Sequence, residues 1–227
     1  MAPWALASAH IFSRLPEKLA NDLFAKSRLV KIAADQTLFT AGDPGDGCYR
    51  VESGLMKVSV ISPAGSERIL AIFGPGSLIG EFAVIDGQPR SATVTAVRES
   101  LLRFISRAAY DEFVKKHPEV RDHIMMMLIQ RLRDTNSIVA AASFLSTKGR
   151  VALALLGLAE AFGQDLGGGR HLIKQKITQN EVAAMAGVAR ENVSRTLNEW
   201  MRQKLLSRAS GFYTIENRKL LENEAEN

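Results

Sequence analysis

Ile79-Gly80-Glu81-Phe82-Ala83-Val84-Ile85-Asp86-Gly87-Gln88-Pro89-Arg90-Ser91-Ala92-Thr93-Val94 sets glycines and charges among residues that otherwise belong in a core. Gly80 ends an apolar run and lets the backbone come close to whatever lies opposite. Glu81 to Ile85 has the makings of a short helical turn, whose first N–H groups point outward unsatisfied and favour an anion. Pro89 fixes the chain just before Arg90, whose planar fork suits a phosphate held by two hydrogen bonds, and Ser91 adds a hydroxyl. A carboxylate beside a phosphate site is unfavourable unless it accepts from a donor, and a ribose hydroxyl is the obvious one. Sugar plus phosphate means a nucleotide. The simpler alternative is that Glu81 and Arg90 pair with each other across a turn.

The 227 residues suffice for one large or two small domains with a proper core, and two are expected. An apolar fraction of 46% with 23% charged residues is ordinary for a soluble globular protein. Cys48 is the only cysteine, which excludes a disulfide framework within the chain and points to a reducing compartment. No stretch reaches the length of a membrane span, and Met1-Ala2-Pro3-Trp4-Ala5-Leu6-Ala7 lacks the basic n-region of a signal peptide. A cytoplasmic protein with no membrane partner is the expectation. The net charge of +5 is uneven: residues 1–146 carry 17 Lys and Arg against 15 Asp and Glu, whereas residues 147–216 carry 10 against 6. A basic C-terminal part is compatible with a polyanionic partner.

Residues 8–27, with Ile11, Phe12, Leu15, Leu19, Leu23 and Phe24 at helical spacing, read as one or two helices, the second opening at Pro16. From Leu29 to Ile105 the pattern changes to short apolar alternations such as Tyr49–Glu52, Leu55–Ile61 and Ile69–Phe73. Turn signals separate them at Gly42–Gly47, Ser62–Gly65 and Gly74–Gly76. Many short strands at regular spacing predict a small antiparallel barrel or jelly roll, with the opening stretch inside it. Helices resume at Ser106, and Pro118 stands near the start of a long one running to about Leu145. Along it Met125, Leu128, Leu132, Thr135, Val139 and Ala142 recur at spacings of three and four, the seam of a coiled coil, which predicts a two-fold dimer. Ile124, Ile129 and Ile138 remain for packing on the barrel.

Phe144-Leu145-Ser146-Thr147-Lys148-Gly149 reads as a hinge, followed by a helix from about Gly149 to Phe162 and an exposed, flexible loop from Gly163 to Arg170. Thr178 with Glu181 three residues later forms a capping box. Val182, Ala183 and Met185 supply a core face, Gly187 a tight turn, and a second helix buries Val193, Leu197 and Trp200. Spacing and turn chemistry together make this a helix-turn-helix. Leu205 to Ile215, with Gly211 in the middle, reads as a two-stranded wing. Arg190, Glu191, Ser194 and Arg195 face outward on the second helix. Charges on a surface helix are ordinarily just solvated, but Arg pairs bidentately with guanine and Glu accepts from the cytosine amino group.

The run from Gly80-Glu81 to Pro89-Arg90-Ser91-Ala92-Thr93 closely resembles the phosphate-binding cassette of cyclic-nucleotide-binding domains, and Arg190-Glu191-Asn192-Val193-Ser194-Arg195 is similar to the recognition helix of the catabolite activator family. From about Phe12 to Ile215 the chain resembles the cyclic AMP receptor/fumarate-nitrate regulator (CRP/FNR) superfamily. The resemblance implies an α+β chain with an N-terminal cyclic-nucleotide-binding β jelly roll in residues 1–117. A long dimerisation helix and hinge in residues 118–146 and a C-terminal winged helix-turn-helix in residues 147–227 would follow. By the same resemblance, Glu81 holds the ribose 2′-hydroxyl, while Arg90, Ser91 and the backbone around Gly80 and Ala92 hold the cyclic phosphate. In the cyclic AMP receptor branch a Thr-Ser pair on the dimer helix contacts adenine, one residue from each subunit. This chain has Thr135-Asn136, so the second position departs from the pattern. Asn offers both a donor and an acceptor, which suits adenine or the different edge of guanine. Cyclic AMP is the first expectation and cyclic GMP its competitor. Arg190, Glu191 and Arg195 are the implied base readers on a palindromic TGTGA-like site. Thr178, Gln179 and Lys204 are weaker candidates for phosphate contacts. The implied partners are double-stranded DNA, a second copy of the chain and RNA polymerase.

Other sensors on the same fold are weighed by their ligands. An iron–sulfur cluster needs about four thiolates, and Cys48 stands alone. Haem would have to use His10, His117, His123 or His171, none at a telling spacing. DNA binding without any ligand is a further alternative. An enzyme is disfavoured, since no nucleophile with an adjacent base, no metal-ligand cluster and no Walker A loop is found. A kinase-type regulatory subunit would leave the helix-turn-helix without a role.

Overall fold

A computed structural model describes residues 16–25 and 27–226. The helical pattern over residues 8–15, the start at Met1–Ala7 and His10 lie outside the described residues. Contacts divide the chain into two units whose boundary falls between Leu132 and Arg133, inside one continuous helix.

In the first unit Pro16 stands immediately before α1 (Glu17–Leu23), its fixed φ suiting a helix entrance. Strands β1 (Arg28–Ile32), β2 (Thr37–Phe39), β3 (Gly47–Ile61), β4 (Glu67–Phe73), β5 (Leu78–Ile79) and β6 (Thr93–Ser106) follow. Every pairing is antiparallel, in the order β1-β6-β3-β4, with β2 also on β6 and β5 on β3. The alternations Tyr49–Glu52 and Leu55–Ile61 are one strand rather than two. Gly54, at φ 97°, lies against Ser100, and the register shifts between Val51 and Met56 carry the ladder through the irregularity. Alternation along β3 separates two cores. Tyr49, Val51, Met56, Phe73, Val94, Ala96 and Leu102 form one. Cys48, Leu78 and Ile105 join the other, with Leu23, Phe24, Tyr110, Val114, Val120 and Ile124.

Besides α1, the helices of this unit are α2 (Glu81–Asp86), α3 (Arg107–Lys116) and the start of α4 (Glu119–Phe144). Ser106 caps α3, accepting from the Ala109 N–H at 3.3 Å. Val120, Ile124 and Met127 are the buried side of α4, and Leu128 packs partly against the same core. Met125, Leu132, Thr135, Val139 and Ala142 of the expected seam are exposed. Ile129, expected to pack inward, is exposed instead, because it falls on the seam side of the helix.

In the second unit α5 (Thr147–Phe162) is capped by Ser146, which accepts from the Gly149 N–H at 3.1 Å. The expected loop from Gly163 to Arg170 is exposed and has regular secondary structure. It forms β7 (Gly163–Gly167) and the start of β8 (Arg170–Ile173), joined through Gly168 and Gly169, both at positive φ. The helix-turn-helix is α6 (Gln179–Ala186) and α7 (Arg190–Arg202). The wing, β9 (Leu206–Ala209) and β10 (Phe212–Ile215), is one edge of a four-stranded sheet in the order β7-β8-β10-β9. A last helix, α8 (Arg218–Glu224), follows. Val151, Leu155, Leu158, Ile173, Val182, Val193, Leu197, Trp200, Leu206, Tyr213 and Leu221 are buried in this unit. Among the described residues no helix is long and apolar enough to cross a membrane.

Candidate functional site

Gly80 is the hinge point of the cassette. Its φ of 80° lies in the left-handed region, and a Cβ there would stand 2.4 Å from Arg90 Nη1. It therefore permits both the turn from β5 into α2 and the close approach of the guanidinium. Arg90 is only 4% exposed. Its Nη1 donates to the Gly47 carbonyl at 2.8 Å and the Gly80 carbonyl at 3.0 Å, and Nη2 donates to Asp46 Oδ1 at 2.9 Å. The guanidinium lies over the Phe39 ring, 4.3 Å from its centroid. Its backbone is pinned as well, the Arg90 N–H donating to the Asp43 carbonyl and the Arg90 carbonyl accepting from the Gly42 N–H, both at 2.8 Å. The buried Nε has no hydrogen-bond partner among the described residues.

Glu81, 2% exposed, accepts from Nη1 of Arg131 on α4. Arg131 also donates from Nη2 to the Leu78 carbonyl at 3.0 Å, and Phe73 and Phe82 flank it, with ring centroids 4.8 and 5.9 Å from Cζ. Glu81 and Arg90 are thus not each other's partners, and each charge is neutralised from a distant part of the chain. Of the remaining expected cassette residues, Ala92 is buried and Ser91 exposed. Beneath the cassette, burial pushes the Cys48 thiol far up, with Glu81 adding to the shift and Arg90 opposing it. The thiol therefore stays protonated and unreactive at neutral pH. Thr135 and Asn136 lie on the part of α4 that belongs to the second unit, both exposed. Arg131 and Asp46 were not singled out from sequence. One sits in an amphipathic helix and the other in a turn-rich run, where a charge is ordinarily solvated.

The second group of residues is built on the helix-turn-helix. The Thr178 hydroxyl accepts from the Glu181 N–H at 3.2 Å, and the Glu181 carboxylate accepts from the Thr178 N–H at 2.7 Å, completing the capping box. Gly187, at φ 64°, ends α6 in the left-handed conformation the turn requires. Val193, Thr196, Leu197 and Trp200 bury one side of α7. That leaves Arg190, Glu191 and Arg195 exposed and Ser194 half-buried on the other side. Arg195 donates to the Asn192 side-chain carbonyl. Gln179 is half-buried at the start of α6, and Lys204 is exposed in the turn before β9, at φ 57°. Two further basic residues flank the wing: Lys176 lies over the Phe212 ring and Arg208 over the Tyr213 ring, 5.5 and 5.0 Å from the centroids. Aromatic neighbours at strand spacing give no sequence signal for this.

Residues 29–117 match the family described as cyclic nucleotide-binding domain, and residues 149–224 the family described as Crp-like helix-turn-helix domain. The chain is 31% identical to a CRP-like cAMP-activated global transcriptional regulator of Mycobacterium tuberculosis, across 97% of this chain and 95% of that one. It is 34% identical to a cyclic AMP receptor protein of Thermus thermophilus, across 82% of each chain. A solved CRP/FNR-family transcriptional regulator from Thermus thermophilus superposes with a TM-score of 0.73 at 26% identity, covering 88% of this chain and 99% of the other.

Proposed function

Because the chain belongs to the CRP/FNR superfamily of cyclic-nucleotide-binding, helix-turn-helix transcription regulators, we propose that it is a homodimer that binds a palindromic TGTGA-like DNA site when cyclic AMP occupies its cassette. The observation that carries this reading is the buried guanidinium of Arg90 with its unpartnered Nε. A buried donor without an acceptor is costly, and a cyclic phosphate supplies an acceptor for it and shares the guanidinium with Asp46. Ser91 and the backbone around Gly80 and Ala92 complete the phosphate's surroundings. Glu81 keeps lone pairs that Arg131 does not use, and a ribose 2′-hydroxyl donates to one of them.

The exposed apolar stripe of Met125, Leu132 and Val139 on α4 supports pairing with a second copy. In that dimer Thr135 and Asn136, one from each subunit, read the base. The departure at Asn136 keeps cyclic GMP as the competing nucleotide. Arg190, Glu191 and Arg195 read base edges, with Ser194 beside them, and Thr178, Gln179 and Lys204 contact phosphates. Gating follows from linkage: a nucleotide that favours one arrangement of the dimer helices raises DNA affinity by its differential binding to that arrangement. RNA polymerase is the partner through which such a regulator acts.

Calorimetric titration of the purified dimer with cyclic AMP and cyclic GMP, with Arg90→Ala as control, tests the sensor. Micromolar-range binding of cyclic AMP that the control abolishes is expected; binding of neither nucleotide overturns the reading. Gel-shift titrations on a TGTGA-containing duplex test the gate, which equal DNA affinity with and without nucleotide would refute.

A further inference from the structure

The two helices of the helix-turn-helix begin differently. Helix α6 opens with a complete capping box, whereas the N-cap residue of α7 is Ala189, whose side chain can accept nothing. The start of α7 is where Arg190 and Glu191 stand, so its direction decides where those side chains reach. An N-cap side chain would accept from the first N–H groups of α7, and its absence leaves the turn before the helix to be fastened through other groups.

That fastening comes from the first turns of α5. Arg150 Nη1 donates to the carbonyl of Gly187, in the turn just before α7, at 3.3 Å. Lys148 donates to Glu199 Oε1, in the third turn of α7, at 2.6 Å. The contact with Glu199 holds the Lys148 ammonium above the ordinary lysine range, and the contact with Lys148 holds the Glu199 carboxyl below the usual carboxylate range. Lys148 and Arg150 lie two residues apart and two to four residues after Ser146, the N-cap of α5. Buried Val193, Leu197 and Trp200 keep α7 on the core of this unit through one of its sides. Two polar contacts, one in the turn before α7 and one in its third turn, add direction to that packing.

We propose that Arg150 and Lys148 are positioning residues that clamp the recognition helix to the first turns of α5 at both ends. The bases read by α7 are then fixed by the orientation of α5, and any movement at Ser146 is delivered to Arg190 and Glu191. The inference rests on the reading that α7 contacts bases. It assigns to Arg150 no contact with DNA.

The test uses the full-length dimer with Arg150→Ala, Arg150→Lys and Lys148→Gln. Hydrogen exchange of the free protein should show faster exchange of the Val188, Asn192 and Val193 amides, which donate to the Ala183 and Ala189 carbonyls, in Arg150→Ala, with α5 itself unchanged. In gel shifts at fixed salt, Arg150→Ala should lose about tenfold in preference for the TGTGA duplex over a base-substituted one, the size of one base contact. Binding to non-specific DNA and nucleotide affinity should hold. Arg150→Lys should recover little, since an ammonium lacks the fork that reaches the carbonyl, and Lys148→Gln should give a smaller loss. Equal weakening on specific and non-specific duplexes would make Arg150 a phosphate contact and overturn the clamp, as would unchanged exchange at Val188, Asn192 and Val193. If the wild-type protein shows no base preference at all, the reading of α7 fails instead, and the exchange result still judges the clamp.

Discussion

At the cassette, Glu81 and Arg90 are almost fully buried and each is held by a residue more than forty positions away, whereas on α7 Arg190, Glu191 and Arg195 stand in solvent. In a medium of low dielectric an unpaired charge is expensive, so a buried site must hold its charges with internal partners until a ligand shares or replaces them. In solvent the same charges cost little unpaired and can wait for a large polyanion, at the expense of strong salt dependence. The difference teaches where each face is vulnerable. A substitution of Glu81 or Arg90 disturbs partners far away in the chain, while one among the exposed charges of α7 bears on recognition.

The sharpest way to break this comparison is Arg90→Ala. Truncating one member of a buried, hydrogen-bonded charge pair costs about 3 kcal/mol of affinity, or roughly a hundredfold in Kd for the nucleotide, measured by calorimetry. Stability should fall by less, because Asp46 has a 62% exposed side chain and water can take up its released carboxylate. An unfolding midpoint that collapses together with affinity would show that Arg90 is a structural arginine first.

Glu81→Ala inverts the balance. It removes the carboxylate that accepts from Arg131, whose side chain is 17% exposed, while the contacts with the Leu78 carbonyl and the Phe73 and Phe82 rings remain. About 2 kcal/mol of stability should be lost in urea unfolding, alongside the ribose contact. The double variant Glu81→Ala with Arg131→Met should regain part of that stability and none of the nucleotide affinity.

These two sites also mark how far the sequence could be read. The types and spacing of Glu81, Arg90 and Gly80 were legible because a phosphate and a sugar need those groups, and the capping box and Gly187 were legible because helix ends are local. Asp46 and Arg131 were not, since they act across 44 and 50 residues and nothing nearby distinguishes them from solvated charges. The hairpin of β7 and β8 is not announced by the sequence because its first strand, Gly163–Gly167, is exposed along its whole length and pairs through the backbone. The side-chain alternation that announces a strand is missing there. Helix α4 shows a subtler miss. Leu128 and Ile129 are adjacent in sequence, and the coiled-coil reading placed each on the face the other occupies.

On the exposed face, Glu191→Ala should lose about 1.5 kcal/mol on the preferred duplex and relax base choice at one position. Nucleotide affinity and unfolding midpoint should stay at their wild-type values, because Glu191 is exposed and holds no side-chain hydrogen bond or ion pair among the described residues. A fall in stability comparable with that of Glu81→Ala would erase the distinction between the two faces.

The smallest effect expected belongs to Thr178, which is exposed yet structurally engaged. Its hydroxyl accepts from the Glu181 N–H, and that bond and its reciprocal are both local, made within one turn. Thr178→Ala removes one half of the box and should cost about 1 kcal/mol in thermal or urea unfolding, whereas Thr178→Ser should stay near wild type, since a serine hydroxyl caps equally well. If Thr178 also touches a DNA phosphate, Thr178→Ala will weaken specific and non-specific duplexes alike, and Thr178→Ser will restore both. A change confined to the specific duplex would mean instead that loosening α6 tilts α7, and then local capping would govern base reading as strongly as the exposed charges themselves.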